Sequence, residues 1–104
     1  IEYLDIETSA LCSYHLFVIK VHPDCRKAVY EALKDHGIGV QIHYIPVHTQ
    51  PDIAAELPQV PFLPNVESYY ERCISLPIFP HLTIENREYV MTTLAKLKQL
   101  KVLY

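Results

Sequence analysis

The stretch Gly37–Pro51, which reads GIGVQIHYIPVHTQP, carries the strongest structural and functional signals in the chain. A glycine-containing turn is followed by an apolar segment, which predicts a β-strand over Ile38–Tyr44. The strand ends in His43 and Tyr44 and continues into a proline-bounded loop that contains His48. Strand ends and the loops after them commonly present polar side chains to ligands. The alternative, in which these side chains only pack under the loop or cap it, stays open from the residues alone.

Upstream of this stretch, the pattern predicts a strand and then a helix. His15–Val21 is rich in β-branched and aromatic residues, which favours a strand with a buried face. Asp24 is positioned to cap a helix over Cys25–His36, where apolar residues recur at helical spacing. Gly37 is expected to end that helix in the left-handed conformation that glycine adopts easily.

The segment 45–64 is unusually long and rich in proline. Its five prolines exclude a long helix, so we expect irregular structure there. Loops longer than about 12–15 residues in compact domains are usually functional or disordered. The aliphatic residues in this segment favour order against another surface, and we predict a loop on the substrate side or at an interface.

The C-terminal part predicts a short helix, a third strand and a final helix. Asn65 is expected to cap the short helix, and Ile74–Phe79 has the composition of a strand that Pro77 restricts to an edge or an end. Thr83 is expected to cap the final helix. The predicted inner face of that helix consists of Val90, Met91, Leu94, Leu97 and Lys101.

The element order indicates the fold class. A strand, a helix, a strand, a long loop, a helix, a strand and a helix fit a two-layer α+β sandwich with helices on one face of a small sheet. A chain of 104 residues is expected to form one domain, 1–104, in which residues 1–13 are a lead-in segment.

Composition and spacing exclude several classes of function. A net charge of −3 with nine lysines and arginines argues against nucleic acid, and no apolar run approaches the roughly 20 residues of a membrane span. Three cysteines without a CxxC pair fit a reducing compartment, so we expect a cytoplasmic protein. The sequence has no closely spaced pair of metal-ligating side chains, so no metal site is predicted. Ser75 lies outside any nucleophile elbow, and no catalytic residue is predicted.

Four segments occur in the same order and spacing as in one known family. Together they resemble the C-terminal domain of the DegT/DnrJ/StrS family of nucleotide-sugar aminotransferases, nearest the branch that makes UDP-4-amino-4,6-dideoxy sugars. The resemblance extends from about residue 14 to residue 100. The segments are Tyr14–Val21, Leu33–Val40, His43–His48 and Ser75–Pro80, the last followed by Thr83.

The resemblance implies the small domain of a fold type I aminotransferase, with a mainly antiparallel sheet. Its parent enzyme would use pyridoxal phosphate to move an amino group from glutamate to a nucleotide-linked keto-sugar, in the synthesis of surface polysaccharide or glycan precursors. Such enzymes are usually homodimers. Their large N-terminal domain provides most of the contacts to the cofactor, including those of a lysine and an acidic residue.

This sequence has no counterpart of those cofactor residues, so we expect no cofactor binding by the chain alone. Its partner would be the large domain of the same enzyme. The resemblance implies that His43, Tyr44 and His48 contribute to substrate binding, since imidazole and phenol groups can hydrogen-bond sugar hydroxyls or diphosphate oxygens. A second hypothesis is a free-standing ferredoxin-like module that binds a small molecule at the same residues without catalysis.

Overall fold

The computed structural model describes residues 1–5 and 7–100. It confirms the predicted α+β class, with an antiparallel sheet and helices. None of the helices in these ranges is long and apolar enough to cross a membrane. The elements are β1 (Glu2–Tyr3), β2 (Phe17–Lys20), α1 (Pro23–Asp35), a 3-10 turn (Val47–Thr49), α2 (Pro51–Glu56), α3 (Pro64–Arg72), β3 (Cys73–Leu76) and α4 (Ile84–Gln99).

The sheet has the strand order β1-β2-β3, and each neighbouring pair is antiparallel. In the pairing of β2 with β3, Phe17 lies opposite Leu76 and Lys20 lies opposite Cys73. The other edge of β3 is bonded to Gln41, which exchanges two backbone hydrogen bonds of 2.8 and 3.2 Å with Ser75. The segment after α1 is therefore attached to the sheet at one point.

The predicted strand over Ile38–Tyr44 is wrong, because only Gln41 of this segment pairs with the sheet. In the antiparallel register that joins Gln41 to Ser75, residue 39 would lie opposite Pro77. Pro77 has no backbone N–H to donate, so the ladder cannot extend in that direction. Pro77 also ends β3, which is an outer strand of the sheet, so the prediction of an edge or an end is confirmed; β3 starts at Cys73, and its four residues are buried.

Prolines begin three of the described helices, namely α1, α2 and α3. A proline at the first helical position loses no hydrogen bond and has a suitable φ. This explains two wrong cap predictions. His22 caps α1, with its Nδ1 accepting from the Asp24 N–H at 3.4 Å, and Asp24 lies inside the first turn. Likewise, Asn65 lies inside α3, which begins at Pro64 without a side-chain cap.

Two other helix-end predictions are confirmed. Gly37 has a φ of +74° after α1, and its N–H donates to the Lys34 carbonyl while the Ile38 N–H donates to the Leu33 carbonyl. This pair of bonds is the Schellman motif, which satisfies carbonyls at a helix C-terminus. Thr83 caps α4, since its Oγ1 accepts a 3.1 Å hydrogen bond from the Asn86 N–H.

The core joins one face of the sheet to α1, α4 and the segment after α1. Leu94 and Leu97 of α4 are buried as predicted, whereas Met91 is 58% exposed and Lys101 lies outside the described residues. Val90 packs against the core without being fully buried. The main buried members are Ile19, Val21, Cys25, Val29, Leu33, Ile38, Val40, Ile74, Leu76, Leu94 and Leu97.

Candidate functional site

The backbone bridge between Gln41 and Ser75 brings His43 next to β3. The His43 side chain is half-buried, and its Nδ1 lies 2.9 Å from the Oγ of Ser75. The Tyr69 hydroxyl of α3 donates to the His43 carbonyl at 3.4 Å. His43 is therefore fixed at its ring and at its backbone by two different elements.

Tyr44 directs its side chain away from the protein and is 64% exposed. Its ring contacts the imidazole of His43 edge-on, with the centroids 4.5 Å apart and the planes at 62°. The Tyr44 hydroxyl makes no hydrogen bond to residues 1–5 or 7–100. This tyrosine consequently offers a phenol group that a ligand or another surface can contact.

His48 occupies a different position from the other two predicted site residues. It lies in the 3-10 turn, it is buried, and its Nε2 is 2.9 Å from Oε1 of Glu67 in α3. The Thr49 hydroxyl donates to the Pro46 carbonyl at 2.8 Å, which closes the turn. The structure therefore brings His43 and Tyr44 into ring contact, while His48 attaches the loop to α3.

Sequence reasoning missed the partners of these residues. Ser75 is 32 residues from His43, Tyr69 is 26 residues from it, and Glu67 is 19 residues from His48. No short motif links residues at such separations. In the sequence, Ser75 stands out only as part of the Ser75–Pro80 segment, and the glutamate on α3 has no signal beyond helical spacing.

Burial keeps two side chains next to the site uncharged. Desolvation raises the pKa of the Tyr69 phenol above its ordinary value of 10.0, with a further contribution from Cys73. Burial also raises the pKa of the Cys73 thiol above 9.0. A protonated phenol can donate, so the raised pKa of Tyr69 widens the pH range in which it can donate to the His43 carbonyl.

Within residues 1–5 and 7–100, no three side chains of His, Cys, Asp or Glu lie close enough to hold a metal ion. A cleft of about 480 Å³ opens between the turn after α1, the end of β3 and α4. The Tyr89 hydroxyl at this cleft already donates to the His36 carbonyl at 2.9 Å, so the cleft presents mainly apolar and backbone groups.

Comparison with known proteins gives these observations a family context. The model of the DegT/DnrJ/EryC1/StrS aminotransferase family matches residues 2–95. The chain belongs to this family. The resemblance carried by the four sequence segments is thereby confirmed, and the match includes both the site residues and their partners on α3 and β3.

Three solved structures are similar to this chain. The aminotransferase TlmJ from Streptoalloteichus hindustanus superposes with a TM-score of 0.82 over 94% of this chain, at 22% identity, and so supports the fold alone. Helicobacter pylori PseC, an aminotransferase involved in the biosynthesis of pseudoaminic acid, gives 0.70 over 82% at 28% identity. DesV from S. venezuelae, in complex with a ketimine intermediate, gives 0.67 over 80% at 32% identity.

The chain spans about a quarter of each of these proteins, namely 26%, 24% and 22% of their lengths. Two of its lysines already have partners among the described residues. Lys20 pairs with Glu2 at 3.2 Å, and Lys34 lies over the ring of Tyr30. The two glycines of the sequence both lie in the turn after α1 and form no phosphate-binding loop beside a lysine.

Proposed function

We propose that this chain is the substrate-side small domain of a pyridoxal phosphate-dependent aminotransferase acting on a nucleotide-linked keto-sugar, with glutamate as the amino donor. The family match over residues 2–95 is the observation that carries the proposal. Two of the similar structures support it, namely PseC, an aminotransferase involved in the biosynthesis of pseudoaminic acid, and DesV, whose structure holds a ketimine intermediate. The cofactor, when bound, supplies the amino-group chemistry, and the large domain would hold it.

Within this proposal, His43 and Tyr44 bind oxygen atoms of the sugar nucleotide. Tyr44 is exposed and its hydroxyl makes no bond within the described chain, while His43 is firmly oriented beside it. A phenol can donate and accept, and an imidazole can donate from one nitrogen. For His48, the bond to Glu67 supports a contribution through the shape of the loop, and direct substrate contact stays a prediction.

The segment 45–64 would contact the large domain or the second subunit of a homodimer. Large apolar patches exposed on a domain usually mark interaction sites, and this segment carries several exposed apolar side chains. A cytoplasmic location and a role in surface polysaccharide or glycan precursors belong to the same proposal. The apolar side chains of the segment that are exposed are Ile45, Val47, Ile53, Val60, Phe62 and Leu63.

The test uses the full-length enzyme that carries this domain. Tyr44→Phe and His43→Ala should each raise KM for the sugar nucleotide roughly two- to tenfold, the effect of one lost hydrogen bond. Single-turnover measurements should show the glutamate half-reaction nearly unchanged. Tyr3→Phe is the matched control, since Tyr3 is 71% exposed and lies on β1. Equal losses in both half-reactions would contradict substrate-side binding.

A further inference from the structure

We infer that Ser75 is a positioning residue that holds the neutral imidazole of His43 in one tautomer, with Nδ1 as acceptor and the proton on Nε2. Ser75 is 4% exposed and lies in β3 between β2 and the Gln41 bridge. Its backbone N–H and carbonyl are both used by Gln41. The sheet therefore fixes the backbone of Ser75, and its hydroxyl lies 2.9 Å from Nδ1 of His43.

The buried hydroxyl of Ser75 determines which ring nitrogen of His43 is protonated. A serine hydroxyl has one hydrogen to donate, and a buried donor without an acceptor is destabilising. Within residues 1–5 and 7–100, the hydrogen-bond partner of this Oγ is Nδ1 of His43, at 2.9 Å. If Nδ1 carried the proton, the serine hydrogen would have no acceptor among these residues. Ser75 therefore donates to Nδ1, which leaves the proton of the neutral ring on Nε2.

The other contacts of His43 leave Nε2 available. The Tyr69 hydroxyl bonds to the backbone carbonyl of His43, and the Tyr44 ring contacts the imidazole edge-on. None of the described residues forms a hydrogen bond with Nε2. His43 thus presents an N–H donor next to the exposed Tyr44 phenol, and its ligand partner is an acceptor oxygen, such as a keto, hydroxyl or phosphate oxygen. Only the identity of this ligand as a sugar nucleotide rests on the proposed function.

The tautomer can be measured without any substrate. In the full-length enzyme with ¹⁵N-labelled histidine, long-range ¹H–¹⁵N spectra should give His43 a pyridine-like Nδ1 and a pyrrole-like Nε2. Ser75→Ala should shift both signals towards averaged values. Thr93→Val is the matched control, because Thr93 is equally buried at 4% and its hydroxyl donates to the Tyr89 carbonyl, away from His43.

The kinetic consequence is a separate measurement. Ser75→Ala should raise KM for the sugar nucleotide roughly two- to tenfold with the glutamate half-reaction unchanged, and Thr93→Val should not. A pyrrole-like Nδ1 in the wild type would overturn the inference, even if Ser75→Ala fails to fold. Equal spectral changes in Ser75→Ala and Thr93→Val would also overturn it. If the predicted tautomer is found but no keto-sugar nucleotide is aminated, the proposed function fails while the inference about Ser75 stands.

Discussion

The hydrogen bond between His48 and Glu67 is expected to control how often the segment 47–56 opens away from α3. The two atoms are 2.9 Å apart, and the side chains are 10% and 28% exposed. Hydrogen bonds to a charged group contribute about 1.5–3 kcal/mol. The partial exposure of Glu67 favours the lower end, about 1.5 kcal/mol. Because about 1.4 kcal/mol corresponds to a factor of ten, Glu67→Ala should increase opening roughly tenfold.

A second substitution separates the charge from the hydrogen bond. Glu67→Gln keeps an acceptor oxygen, and a neutral bond is about half as strong as a charge-assisted one, so opening should increase only about threefold. Hydrogen exchange of peptides covering 47–56 in the full-length enzyme measures both effects. Glu71→Ala is the control, since Glu71 is exposed on the same helix. Equal exchange in Glu67→Ala and Glu71→Ala, or faster exchange throughout α1, would refute the reasoning.

Two further predictions follow from shifted pKa values. Hydrogen bonds from Lys20 and Arg72 lower the pKa of Glu2 below 4.5, so its stabilisation of β1 is present above that pH and is lost as the pH falls through the lowered value. Exchange of the β1 amides, corrected for intrinsic rates, should speed up on acidification in the wild type but not in Glu2→Gln, and a parallel change in both would contradict this. Burial raises the pKa of Cys73 above 9.0, whereas Cys12 is exposed. Iodoacetamide at about pH 8 should therefore alkylate Cys12 at least roughly tenfold faster, and comparable rates in the native enzyme would be the opposing result.

Helix ends were the most predictable features, because their signals are local. Gly37 and Thr83 act on backbone groups within four residues, so their roles could be predicted from neighbouring residues alone. In α1 and α3 a proline is the first helical residue, and the polar residue predicted as the cap lies inside the helix. For this reason His22 and not Asp24 caps α1.

The strands were less predictable, because a strand forms only when its backbone is hydrogen-bonded to a neighbouring strand. The apolar segment after Gly37 has the composition of a strand, yet it pairs only at Gln41, and Pro77 blocks extension of the ladder in the direction of residue 39. Conversely, β1 is two residues long and has no pattern of its own. It is defined by its pairing with Lys20 and Ile19 of β2.

The sequence by itself determined the α+β class and the family resemblance, and it singled out His43, Tyr44 and His48 as candidate binding residues, because these depend on composition and on residues close together in the chain. Only the tertiary structure decided what each side chain does there. Ser75 orients one histidine and Glu67 holds the other, across separations of 32 and 19 residues. Those contacts depend on how β3 and α3 pack against the loop, and that packing is determined by the buried core rather than by any local motif.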